Sequence, residues 1–231
     1  MDNQKIPQHV AFIMDGNRRW ARGKGLPTLL GHARGYKRIE RIVDYADMLG
    51  IKYTTFWAFS TDNWNRGHKE VAYLMELFRE LLGGKMIKKL LAKGRKITIL
   101  GELDPFPKDI QDTTRKLIED SKDNTGIHIN IALNYGGRAE IVRAVKNVIS
   151  DRINSTDITS DLLSHYFYTK YQPDPDLIIR TGGEQRLSGY LLWQSVHSEL
   201  YFTDTFWPDF DEQAFDKALE EYKRRERRFG R

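Results

Sequence analysis

The sequence predicts a single α/β domain built on a central, mostly parallel sheet with helices on both faces. Short apolar, β-branched or aromatic runs alternate along the chain with segments whose apolar residues recur at helical spacing, as in a layered parallel sheet. A length of 231 residues with 40% apolar content suits one sizeable core. No repeat, low-complexity tract or Pro/Gly/Ser-rich linker divides the chain, so residues 1–231 read as one domain.

The elements follow in order. Residues 9–14 form a buried strand. Residues 34–49 form a helix, because Ile39, Ile42, Val43, Ala46 and Leu49 share one face, and Gly50 ends it. Residues 53–59 form a second strand, and 61–68 a polar, irregular connection. Val71, Leu74, Met75, Phe78, Leu81 and Leu82 make a helical stripe, which Gly83-Gly84 interrupts before Met86, Ile87, Leu90 and Leu91 resume it. A third strand is expected at 96–100, a helix at 107–121 and a fourth strand at 127–133. Gly136-Gly137 then turns the chain into a helix carrying Ile141 to Ile149. A fifth strand at 177–180, a sixth at 200–203 and a last helix around 215–222 complete the pattern.

Composition narrows the function. The absence of cysteine excludes disulfides, thiolate catalysis and a Cys-built zinc site, and it suits a reducing, cytoplasmic setting. No segment reads as a signal peptide, and the apolar runs fall below the ~18 residues that a membrane span needs. Contact with a membrane surface stays open. The net charge of +5 favours anionic partners without choosing among them.

The chemistry concentrates where strands end. The first strand runs directly into Asp15-Gly16-Asn17-Arg18-Arg19-Trp20, a carboxylate beside a glycine and two arginines. Open α/β sheets bind ligands at this carboxyl edge. Asp15 is a candidate Mg²⁺ ligand, Gly16 and Asn17 allow close approach of phosphate oxygens, and Arg18 and Arg19 add paired donors. Read plainly, the same residues make a capped turn. His32 is a candidate phosphate donor or proton carrier, although a lone histidine is more often structural. The stretch Ser60-Thr61-Asp62-Asn63-Trp64-Asn65-Arg66 reads as an active-site loop; Trp64 needs a packing partner. Arg180, Arg186 and Ser188 flank a Gly-rich turn after a strand and can clamp a diphosphate. Glu199 is a candidate second metal ligand, or the partner of an arginine. No Walker loop, GxGxxG, HExxH or GxSxG is present.

Taken together, several long motifs resemble the cis-prenyltransferases of the undecaprenyl diphosphate synthase family. They are His9 to Trp20, Gly31-His32, Ala58 to Arg66, Asn134-Tyr135-Gly136-Gly137-Arg138, Asp176 to Ser188, Glu199 to Phe202, and Trp207-Pro208-Asp209. The resemblance runs from His9 to Gly230. It implies an enzyme that condenses isopentenyl diphosphate onto an allylic diphosphate, farnesyl or geranylgeranyl diphosphate, to give a Z-polyprenyl diphosphate such as undecaprenyl diphosphate. It implies a homodimer, a hydrophobic tunnel walled by the interrupted helix, Mg²⁺, and no nucleic-acid partner. By this resemblance Asp15 holds Mg²⁺ and the allylic diphosphate, with Gly16, Asn17, Arg18, Arg19, Trp20 and His32 around it. Asn63 helps remove a proton, with Ser60, Thr61, Asp62, Trp64 and Arg66 nearby. Arg180, Arg186 and Ser188 bind isopentenyl diphosphate, Glu199 is a further metal-linked carboxylate, and Arg228 belongs to a tail that reaches the partner's site. Thr28, Gly189 and His197 depart from the family pattern; at Thr28 many relatives carry an arginine. A branching synthase and a non-catalytic partner subunit remain alternatives.

Overall fold

The computed structural model describes residues 6–225. Arg228 and the rest of its tail lie outside the described residues. The order of elements is β1 (His9–Ile13), α1 (Asn17–Gly23), α2 (Thr28–Met48), β2 (Tyr53–Trp57), α3 (His68–Gly83), α4 (Lys85–Ala92), β3 (Lys96–Leu100), α5 (Lys108–Ser121), β4 (His128–Ala132), α6 (Gly137–Ser150), α7 (Ser160–Ser164), β5 (Leu177–Arg180), β6 (Glu199–Phe202) and α8 (Glu212–Arg224). Single 3₁₀ turns lie at Thr61–Asn65, Ser155–Asp157 and Trp207–Asp209.

Among the described residues the six strands form one sheet in the order β3-β4-β2-β1-β5-β6, and every pairing is parallel. The mostly parallel reading thus becomes fully parallel. Alternate residues of β1 face opposite sides, as a period of two requires. Val10 and Phe12 enter the larger core with α2, α3, α4, α5 and α8. Ala11 and Ile13 face a thinner layer made with Tyr135, Tyr190 and Leu191. On that side α6 leaves Val142, Val145 and Ile149 exposed.

Two helices depart from the sequence pattern. The first, α1, carries no apolar stripe, because only Ala21 on it is buried. The second, α2, begins at Thr28 rather than at 34 because its first turns bury glycines in place of large apolar residues. A Cβ on Gly31 would stand 2.0 Å from the Asn17 carbonyl oxygen, and one on Gly35 would stand 2.3 Å from Asn17 Oδ1. Close packing of α2 on α1 therefore forbids the side chains that would have signalled the helix. The short α7 likewise carries no buried residue and so no apolar stripe. The interruption at Gly83-Gly84 is a real break: Gly84 is extended, with φ −84° and ψ 177°, between α3 and α4. The stripe residues Leu74, Met75, Phe78, Leu81 and Leu82 are packed core.

A buried polar network ties the strands together. His9 Nδ1 lies 2.8 Å from the Pro173 carbonyl, and His9 Nε2 lies 2.7 Å from Thr55 Oγ1. A carbonyl only accepts, so Nδ1 carries the proton and the Thr55 hydroxyl donates to Nε2. That hydroxyl oxygen then accepts from Asn130 Nδ2 at 3.0 Å. Burial pushes the His9 pKa down from 6.5 to about 4. The fold thus holds neutral His9, while the unfolded chain binds a proton below pH 6.5. Stability is complete above that pH, falls as pH drops from 6.5 towards 4, and levels off below. The shift corresponds to roughly 3 kcal/mol for this residue. Urea unfolding at pH 7 and pH 4.5 checks this: the loss should be smaller in His9→Asn, and an equal loss in both proteins contradicts it.

Candidate active site

Connections from β1 run towards β2 on one side of the sheet, and β5 pairs with β1 on the other. The carboxyl ends of β1 and β5 therefore flank the point where strand order reverses, the place at which such sheets bind ligands. Ile13 is in register with Arg180. Two residues beyond Ile13, Asp15 meets the Arg180 guanidinium at 2.9 Å through Oδ2. Backbone bonds fix Asp15 here, since its carbonyl accepts from Thr181 Oγ1 at 2.7 Å and from Trp207 N at 3.0 Å. Arg180 is almost fully buried, and its Nη1 donates to Ser188 Oγ at 2.9 Å and to the Arg186 carbonyl.

After Asp15 the chain must turn at once into α1. Gly16 makes that turn at φ +100°, where a Cβ would also stand 2.5 Å from Phe206 Cδ1. Only glycine meets both demands. Arg19, one turn along α1, comes within 3.3 Å of Asp15 Oδ1.

Opposite α1, Glu70 on α3 gathers three cationic or ring groups. Arg18 lies 3.5 Å from it, Arg66 3.0 Å and His32 Nε2 3.7 Å. Desolvation, and after it the nearby Arg66 charge, lowers the His32 pKa from 6.5 to about 4. His32 is therefore neutral at pH 7, and its buried Nε2 has no hydrogen-bond partner. The neutral ring can donate or accept one bond towards the cavity.

Two adjoining cavities, each of about 330 Å³, share Asp15, Asn17, His32 and Arg66. The first is basic and is completed by Arg18, Arg19 and Arg22. The second combines Ser60, Asp62, Asn63, Arg180 and Ser188 with an apolar end of Tyr36, Ala58, Leu74 and Trp207. Asn63 is held by its Oδ1, which accepts from Ser60 N at 3.1 Å, so its amide nitrogen stays available. No cluster of three or more His, Asp or Glu side chains among the described residues could hold a metal alone. Asp15 offers one carboxylate to a cavity ringed by arginines. This donor set suits a small hard cation that completes its shell with water and phosphate oxygens.

Other expected site residues sit elsewhere in the described chain. Trp20 lies outside both cavities, with the Lys24 ammonium over its ring at 5.3 Å. Thr61 packs on Gly136, and Trp64 stacks edge-on against Phe59 at 4.9 Å while its Nε1 donates to Asn134 Oδ1 at 2.9 Å. The Arg186 guanidinium is exposed and paired with Glu184 at 2.5 Å, leaving its carbonyl to face Arg180. Glu199 opens β6 at the amino end of the sheet, in register with Leu177, and pairs with Arg225 at 3.0 Å. Within one chain it is thus on the opposite edge from Asp15. Gly189 has φ +89°, a backbone region that favours glycine. Glu70 is a site residue that the sequence reading does not include, whereas Arg22, a basic residue able to replace the arginine absent at Thr28, does line the basic cavity. The i,i+4 spacing of Arg66 and Glu70 is the available signal for Glu70.

The family described as "Putative undecaprenyl diphosphate synthase" matches residues 13–230. An isoprenyl transferase from Clostridium perfringens is 47% identical over 230 residues, covering 98% of this chain and 90% of that protein. One from Aquifex aeolicus is 45% identical over 227 residues, covering 98% and 97%. Lavandulyl diphosphate synthase from Lavandula x intermedia, solved in complex with dimethylallyl diphosphate, is similar in structure with a TM-score of 0.93 and 36% identity, covering 97% of this chain and 98% of that one. A probable undecaprenyl diphosphate synthase from Campylobacter jejuni gives a TM-score of 0.82 and 28% identity, covering 98% and 100%. With matches along nearly its whole length, on the sheet edge where the arginines and Asp15 meet, the chain belongs to the undecaprenyl diphosphate synthase family of isoprenyl transferases.

Proposed function

We propose that this isoprenyl transferase elongates cis-prenyl chains, condensing isopentenyl diphosphate onto an allylic diphosphate, with farnesyl or geranylgeranyl diphosphate as primer. The observation that carries this reading is the Asp15–Arg180 pair, which stands between two cavities, each with its own cationic groups and only one with an apolar end.

In this reading Arg18, Arg19, Arg22 and His32 bind the allylic diphosphate in the basic cavity. Arg180 and Ser188 bind isopentenyl diphosphate in the other, with Arg186 beside them. Asp15 would hold Mg²⁺, which when bound neutralises charge on the departing diphosphate. The allylic C–O bond breaks with its electron pair leaving on oxygen. The alkene of isopentenyl diphosphate attacks the allylic carbon, and a proton is then lost from its C2. An amide is a weak base, so Asn63 orients that C–H bond while a released diphosphate oxygen takes the proton. Fixed arginines stabilise the charge where it develops. The apolar end of the cavity, at Tyr36, Ala58, Leu74 and Trp207, shields the cationic carbon from water and directs the product towards α3. A longer product would part α2 from α3 and α4 at the Gly84 break, opening the tunnel that the family resemblance implies.

Two copies would associate through the exposed apolar stripe of α6, where Val142, Val145 and Ile149 stand 54%, 43% and 70% exposed. This stripe lies on the thinly covered face of the sheet, so a second chain completes that layer. Glu199, which lies away from Asp15 within one chain, would then act across that interface. Among the described residues no helix is long and apolar enough to cross a membrane. Product release would bring the enzyme to a membrane surface from the cytoplasm.

A branching condensation of two allylic units is a second reading, favoured by the likeness to lavandulyl diphosphate synthase and by Thr28 at the first turn of α2. Product analysis separates the two. Purified chain with Mg²⁺, labelled isopentenyl diphosphate and geranyl, farnesyl or geranylgeranyl diphosphate should give a linear Z-ladder. Branched product from allylic diphosphate alone would favour the second reading instead. Asp15→Ala should lower the melting temperature, because it strands the buried Arg180 charge, and should lower turnover by about 100-fold or more where the variant is folded; near-normal turnover would remove Asp15 from the chemistry. Val145→Glu should sediment as a monomer; an unchanged dimer would place the interface elsewhere.

A further inference from the structure

The motif Asn134 to Arg138 has no part in the chemistry above, yet its backbone touches both halves of the site. The Tyr135 carbonyl accepts from Thr61 N at 3.2 Å, at the start of the turn that carries Asn63. Ser60 and Tyr135 form an isolated parallel bridge. Asn134 Oδ1 accepts from Trp64 Nε1 at 2.9 Å, near the far end of the same turn. On the other side, Gly137 N donates to the Gly189 carbonyl at 2.8 Å, next to Ser188. The two glycines are where these loops come closest. A Cβ on Gly136 would stand 2.7 Å from Thr61 Oγ1, and one on Gly137 would stand 2.6 Å from the Gly189 oxygen.

The segment is itself anchored from below. Buried Glu140 accepts from Tyr135 Oη at 2.5 Å, from Tyr168 N at 2.9 Å and from Gln194 Nε2 at 3.2 Å. Gln194 follows the Ser188 turn in sequence, so one carboxylate grips the elements behind both loops. An anchor of this kind holds geometry without touching substrate.

We propose that Asn134–Gly137, anchored by Glu140, is a positioning brace that sets the separation of the Asn63 turn from the Ser188 turn. This rests on the elongation reading, in which those turns serve the proton-loss step and the isopentenyl diphosphate site. Its demand is steric and angular. Reacting groups misplaced by about 1 Å lose roughly 100-fold in rate. Gly136 has φ −152° and ψ 127°, extended backbone that any residue adopts, so alanine there acts only through Thr61.

The test measures kcat and the KM of each substrate for Gly136→Ala, Thr61→Ala and the double variant, with melting temperatures. Gly136→Ala should lose roughly 100-fold in kcat while the KM of the allylic diphosphate, bound by a separate arginine cluster, holds. The double variant should return to the Thr61→Ala level, because the colliding hydroxyl is gone. Gly67→Ala, where a Cβ meets nothing within 4 Å, should match wild type. Asn134→Gly gives an independent variant: it keeps the φ of 49° and releases Trp64, so kcat should fall again. A folded Gly136→Ala with wild-type kcat, a double variant no better than Gly136→Ala, or a fully active Asn134→Gly overturns the brace. A wild-type chain that couples no substrates overturns the elongation reading and the brace with it.

Discussion

Arg180 is a cation inside a protein, on the last position of a strand whose four residues are all buried. Such a charge is tolerated only with partners, and removing one would leave it uncompensated. Asp15 supplies the countercharge at 2.9 Å, with Ser188 and the Arg186 carbonyl taking other donors. The need to satisfy this one guanidinium fixes the exit of β1, the path of the 186–188 turn and the relative height of β1 and β5. The remaining site groups are arranged around that point.

Around the pair, resident acids hold the other arginines of the cavities. Glu70 occupies Arg18 and Arg66, and Glu184 occupies Arg19 and Arg186. The exposed members of these pairs are held only weakly. An incoming anion can therefore displace them at small cost, whereas the buried Arg180 contact also holds the fold. The neutral state of His32 follows from the same setting, because burial and nearby arginines disfavour a further positive charge.

Glycine has three distinct duties in the site. Gly16 needs a positive φ to turn the chain after Asp15. Gly31 and Gly35 let α2 touch the Asn17 backbone and amide, which brings His32 to the cavity. Gly136 and Gly137 let the Asn63 and Ser188 turns approach a common segment. In each case a side chain is missing because another atom occupies its volume, so the site's dimensions are set by absences that composition does not show.

Sequence periodicity determined the sheet, its strands and the helices α3, α5, α6 and α8, because buried faces must repeat at 2 or 3.6 residues to form a core. It also placed Asp15, Asn63 and Arg180 at strand ends, where ligands bind, and the long motifs carried the family resemblance. Local pattern could not reveal α1 or the first turns of α2, whose contacts use glycine and backbone rather than apolar side chains. Nor could it show that Glu70 gathers Arg18, Arg66 and His32, or that Glu199 stands at the far edge of the sheet. Those facts depend on which strands become neighbours and in what register. Only tertiary packing decides them, since groups that meet lie far apart in the chain, as Asp15 and Arg180 do at a separation of 165 residues.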